Sequence, residues 1–133
     1  MVSFKRINPE SLGRPVGYTN GLLTTREFRL LFIAGQIGWD ESQQLVGQDF
    51  VEQFDCALKN VLAVVRESGG APDGIARLVI YVTDKEEYRA RRREIGERWR
   101  AQMGDHYPAM TLVEVKGLLE DGAKVEIEGI AVI

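Results

Sequence analysis

Few side chains in this sequence can do chemistry, and their placement narrows the choice. Glu126 and Glu128 alternate with Val125 and Ile127, so both project from one face of a strand. On a buried face a carboxylate needs a partner or a function. On a solvated edge the pair is only the polar side of an amphipathic strand, and the sequence alone favours that reading. Cys56 is the one thiol, and it falls on the opposite side of its helix from Phe54, Leu58 and Val65. That places it outside the main core, with no histidine near in sequence to activate it. The one histidine, His106, lies between a predicted helix end and a strand. A capping or surface role is favoured over that of a base.

The densest charged feature is arginine: positions 89, 91, 92, 93, 98 and 100. Alone it reads as a nucleic-acid patch. Yet Lys85 and these six arginines share residues 84–105 with six acids, Asp84, Glu86, Glu87, Glu94, Glu97 and Asp105. The segment is nearly neutral, which argues against nucleic acid and for a solvated face laced with local ion pairs. Arg92 differs from its neighbours because it falls within the helical stripe of Tyr88, Ile95 and Trp99. Its stem can snorkel past the core edge, or its guanidinium can point into a cavity. The first reading is favoured.

The elements that position these residues come from a chain of 133 residues with net charge −3. That length suits a single domain, 1–133, with no room for a cleft between two lobes. With 44% hydrophobic and 28% charged residues, the composition is that of a folded domain. One cysteine excludes an intramolecular disulfide or a multi-cysteine metal site. Residues 1–9 carry Lys5 and Arg6 but no apolar stretch after them, and no run is long enough to span a bilayer. No membrane association and a cytoplasmic location are expected.

Residues 18–24 form a short strand candidate, and residues 28–36 a nearly continuous apolar one, with residues 24–27 joining them as a hairpin. Asp49 opens a helix, with Glu52 completing a capping box. Val51, Phe54, Leu58, Val61, Leu62 and Val65 form its apolar stripe. Residues 75–83 form a second apolar strand. Asp84 opens a second helix that runs to about Met103, and Gly104 ends it. Strands follow at residues 109–116 and 124–133. The order is ββαβαββ, an α+β mixed sheet with two helices on one face and right-handed crossovers. Two helices cover one face only, whereas the strands through Ile33 and Ile80 are apolar on both. A second copy of the chain is the simplest cover, so an obligate homo-oligomer is expected.

Several short motifs then come together. They are Gly17-Tyr18, Ala34-Gly35-Gln36-Ile37, Val82-Thr83-Asp84, Tyr107-Pro108-Ala109, Val113-Glu114-Val115, and the run from Val125 through Glu126, Ile127, Glu128, Gly129 and Ile130 to Ala131. In this combination the chain resembles the Rid family, also called RidA-like or YjgF-like, over nearly its whole length. The resemblance implies a chorismate-mutase-like fold and a homotrimer, with sheets packed around a central barrel and small-molecule pockets in the clefts between subunits. It implies hydrolysis of enamines and imines to a 2-keto acid and ammonia, with no metal and no cofactor. Some members of the family carry endoribonuclease or translation-inhibitor labels.

The family's carboxylate-binding arginine follows Pro-Ala, and here that position is Met110. A thioether cannot supply the bidentate, charge-assisted contact. The family's serine before Gly-Gln is Ala34, its cysteine two beyond the arginine is Leu112, and its pocket asparagine on the second helix is Arg92. What remains is Tyr18 as a pocket wall, Gly35, and Glu126 to position or activate water. Three readings follow. In the first, the chain binds a small molecule without 2-imino acid deaminase activity. The second is a hydrolase for a less polar or aromatic-pathway intermediate, using Glu126. In the third, Arg92 supplies the missing cation to a deaminase. An RNA-binding or endoribonuclease-like role stands behind all three.

Overall fold

The computed structural model describes residues 3–16 and 20–133. Its main sheet has four strands: β3 (Leu30–Ile37), β4 (Ile75–Val82), β5 (Ala109–Glu114) and β6 (Val125–Val132), in the order β3-β6-β4-β5. β6 lies antiparallel between β3 and β4, and β4 runs parallel to β5, so the sheet is mixed. β1 (Phe4–Ile7) and β2 (Gly21–Thr24) pair as a separate antiparallel ribbon. This is the expected α+β architecture.

Helix α1 (Phe50–Glu67) begins where Asp49 accepts a 3.0 Å hydrogen bond from the Glu52 amide. It lies on β3 and β6. Phe54, Leu58 and Leu62 on α1, Leu78 and Val82 on β4 and Ile127 on β6 are almost wholly buried. They occupy the space between helix and sheet, as the helical stripe requires. Glu52 does not close the capping box, because its carboxylate goes to Arg98 at 2.6 Å.

Three further expectations change, and one strand was not foreseen. The hairpin across residues 24–27 does not form: β2 pairs with β1, and β3 pairs with β6. Beside β6, β3 can turn Ile33 into the core, whereas β2 exposes Leu23 and Thr24. β1 itself escaped the sequence reading because its FKRI pattern carries two charges and no apolar alternation. The second helix breaks at Arg91 (φ −115°, ψ 19°) into α2 (Lys85–Ala90) and α3 (Arg92–Met103). Arg91 reaches both Asp49 and Glu94 there, and beyond the break α3 packs on α1. The described residues therefore form three α-helices, not two, with α1 before β4 and α2 and α3 after it. Last, β6 is a central strand, not a solvated edge, so Glu126 and Glu128 are half-buried in the middle of the sheet.

The face of the sheet away from α1 is open in a single chain. Phe32 is 72% exposed and Leu30 57%. The apolar residues that looked buried on both sides are covered on one only.

Candidate functional site

A cleft of about 600 Å³ lies between α2 and α3 on one side and β4 and β5 on the other. Strand register explains which side chains reach it. Met110 pairs with Leu78 and Leu112 with Ile80 across parallel strands, so all four point to the helix side. Ile80, Ile95, Met110 and Leu112 form the aliphatic wall. Phe54, Tyr88, Trp99 and Tyr107 form the aromatic wall. The Trp99 and Tyr107 rings stack at 6.0 Å with planes 13° apart. The Trp99 indole donates to the His106 carbonyl at 3.2 Å, which fixes its orientation. Arg92, the first residue of α3, is the one charged side chain among the described lining residues.

Four other arginines along these helices are engaged. Arg89 pairs with Glu86, Arg93 with Glu97, Arg91 with Asp49 and Glu94, and Arg98 with Glu52 and Asp55. The expected lacing of local ion pairs is present. Arg92 makes no hydrogen bond or ion pair among the described residues. Its place at the cleft is the cavity reading, which the sequence had ranked second.

Glu126 lies elsewhere. It pairs with Tyr81 across β4 and β6 and points to the open face, away from Met110. A β-bulge between Ile33 and Gln36 brings Gly35 beneath it. A side chain at Gly35 would place its Cβ 2.9 Å from Glu126 Cδ, so only a residue without Cβ lets the Glu126 stem lie flat across β3. Ala34, in the same bulge, is exposed, and its carbonyl accepts from Gln36 Nε2 at 3.0 Å. On the same face the Tyr81 hydroxyl donates to Glu128 Oε1. That bond, with the carboxylate charge beside it, pushes the Tyr81 phenol above its ordinary value. One chain therefore gathers Arg92, Met110 and Leu112 on one face, and Ala34, Gly35 and Glu126 on the other. Tyr18 lies outside the described residues.

The remaining candidates are structural. Cys56 is half-buried, with its thiol 3.5 Å from the Trp39 carbonyl. Burial pushes its pKa up, the wrong direction for a nucleophile. His106 sits with Nε2 2.7 Å from the Ile75 carbonyl, tying the α3–β5 connection to the start of β4. Among the described residues no group of three His, Cys, Asp or Glu could hold a metal, and no helix is long and apolar enough to cross a membrane.

Sequence reasoning missed two features. The stacked Trp99–Tyr107 wall joins a residue read as core to one read as part of a motif, and only the folded α3–β5 connection brings them together. Gln53 is fully buried on α1. Its amide donates to the Gly47 and Gly122 carbonyls at 2.8 and 3.0 Å, and its oxygen accepts from the Lys124 amide at 2.8 Å. A polar residue between Glu52 and Phe54 carried no sequence signal for that role.

Comparison with known proteins agrees with this architecture. The profile of the family described as Endoribonuclease L-PSP matches residues 15–133. A RutC family protein of Aquifex aeolicus is 34% identical over 120 residues, covering 89% of this chain and 90% of its own. The mouse (Mus musculus) 2-iminobutanoate/2-iminopropanoate deaminase is 30% identical over 105 residues, 78% of this chain and 74% of that protein. In structure, the Rid protein YyfB of Yersinia pestis superposes with a TM-score of 0.85 at 29% identity, over 98% of both chains. The chain thus belongs to the endoribonuclease L-PSP family, known equally as the Rid or YjgF family.

Proposed function

We propose that this protein binds a small molecule in a cleft shared between subunits and lacks the 2-imino acid deaminase activity for which its mouse relative is named. The observation that carries this is Met110. It stands where the family motif has its carboxylate-binding arginine, and here it forms part of an apolar wall with Ile80, Ile95 and Leu112. A short 2-imino acid offers a carboxylate and little apolar surface. Such a wall offers it no forked donor from β5, the cleft's one cation among the described residues being Arg92 on α3, and each charge-assisted hydrogen bond forgone is worth about 1.5–3 kcal/mol.

The separation of Glu126 from Met110 supports a shared site. Each copy presents the Arg92–Met110 cleft on one face and the Gly35–Glu126 bulge on the other. In a closed homotrimer one copy's bulge faces the next copy's cleft, and the bare face around Phe32 is covered at the same time. A second reading is a cofactor-free hydrolase for a less polar imine, with Glu126 directing water. It is favoured by the flat carrying of Glu126 across Gly35.

The test is hydrolysis of freshly generated 2-aminoacrylate by the purified protein, with a deaminating relative as control. No acceleration over buffer is expected. A rate matching the control overturns the reading. Sedimentation velocity checks the assembly, for which a trimer is expected and a monomer counts against the shared cleft.

A further inference from the structure

We infer that the cleft takes an anionic ligand with a flat apolar body, its carboxylate or equivalent anion held by Arg92 and its ring lying along the Trp99–Tyr107 wall. The inference rests on the reading of this cleft as a ligand site, and it adds the chemical class of the occupant.

Three observations carry it. The first is charge. The neighbouring arginines 89, 91, 93 and 98 each spend their guanidinium on a carboxylate of the chain. Arg92 spends none among the described residues and stands at the cleft. Among the described residues no acidic side chain lines the cleft with it, so an anion entering meets one cation and no opposing charge. The second is shape. Trp99 and Tyr107 are already stacked on one another, 6.0 Å apart and nearly parallel, and Tyr88 and Phe54 stand around the same space. Aromatic walls favour flat ligands by offset stacking and edge contacts. The third is polarity and size. A volume of about 600 Å³ falls within the range of small-molecule sites. Such sites are mostly apolar, with few placed polar groups. Arg92 is the orienting group, and Met110 and Leu112 are the surface against which the body of the ligand loses water.

The arrangement also selects against two alternatives. A short anion reaches Arg92 but leaves Tyr88 and Tyr107, the half-buried rings of the wall, in contact with water. A neutral aromatic compound fills the wall but leaves the guanidinium without a partner. Only a ligand with both parts uses both features. Phosphate-bearing polymers are disfavoured because Arg89, Arg91, Arg93 and Arg98 are already paired.

The experiment is isothermal titration of the intact protein, at low salt and neutral pH, with three probes: phenylacetate, phenylacetamide and acetate. Phenylacetate is expected to bind at least about tenfold tighter than either of the others, the factor of one charge-assisted contact or one buried ring. Arg92→Ala is expected to erase the difference between acid and amide, and Arg92→Lys to restore part of it. Arg92 is exposed at the start of α3, so both variants should keep the wild-type melting curve. Equal binding of acid and amide, unchanged acid affinity in Arg92→Ala, or no phenylacetate binding at millimolar concentration each overturns the inference. The 2-aminoacrylate assay is read separately. An inactive protein that ignores phenylacetate sinks this inference and leaves the loss of deaminase activity standing. An active one that binds it does the reverse.

Discussion

Glu126 lies across the backbone of Gly35, with its Cδ 2.9 Å from where a Cβ on Gly35 would sit. The two residues belong to neighbouring strands at a bulge, and each determines what the other can be. The clash at Gly35 is with a flexible side chain. At Gly38 an added Cβ would meet the Gln53 carbonyl at 2.6 Å, and at Gly129 the Arg77 carbonyl at 2.4 Å, both backbone. Gly35→Ala is therefore expected to cost about 1 kcal/mol while displacing Glu126. Gly38→Ala and Gly129→Ala should cost about 2–3 kcal/mol, at the upper end for overpacking. Urea denaturation of the three variants gives the ranking, and equal losses would contradict it.

Gln53 should prove as important as the apolar core residues beside it. It satisfies two carbonyls and one amide from two connecting segments, β3–α1 and β5–β6. Gln53→Leu fills the same space and leaves all three unpaired. Each buried group so orphaned costs about 1–3 kcal/mol. A loss of at least about 2 kcal/mol in urea is expected, and a neutral substitution would show that water replaces the amide.

Acid should weaken the join between α1 and α3 at a predictable site. Asp55 is buried on α1. Burial alone pushes its carboxyl up, but hydrogen bonds from Lys59, Gln102 and Arg98 outweigh it and hold the pKa below the ordinary value. A depressed folded pKa means stability that is present above the unfolded value, about 3.9, and lost as pH falls through the folded one. Asp55→Asn is expected to be less stable than the native chain at pH 7. The gap should narrow steadily below about pH 4. Urea midpoints from pH 7 to pH 3 measure it, and a constant gap would place the cause elsewhere.

The last prediction concerns Met110. If its thioether is what removes imine chemistry, the double variant Met110→Arg with Arg92→Asn should gain 2-aminoacrylate hydrolysis. The second change removes a like charge from the same cleft. A gain of at least about tenfold over the native chain is expected, corresponding to about 1.4 kcal/mol in the barrier. No gain in a variant that keeps its assembly would mean that the rest of the cleft also excludes the reaction.

The fold was largely legible because its signals are local and periodic. The α1 stripe at positions 51, 54, 58, 61, 62 and 65 is buried throughout, and Asp49 caps it as its position implies. The β1–β2 ribbon was not legible, since pairing partners fourteen or more residues apart leave no mark on a charged four-residue strand. The break at Arg91 was hidden for a similar reason. Residues 84–103 read as one helix, and the carboxylates that hold the break open include Asp49, far away in the chain.

Residue types and spacing were enough, by themselves, to indicate the α+β class and the surplus of apolar strand surface, and the short motifs carried the resemblance to the family. These follow from side-chain identity and from periods of 2 and 3.6 residues, which are written along the chain. Only the tertiary structure decided that Met110 and Glu126 face opposite ways, that Arg92 stands at the cleft while Arg89, Arg91, Arg93 and Arg98 pair with carboxylates, and that Trp99 and Tyr107 form its wall. Those relationships depend on strand order, register and a bulge. They are settled by long-range pairing, in which a shift of one residue would turn each side chain to the other face.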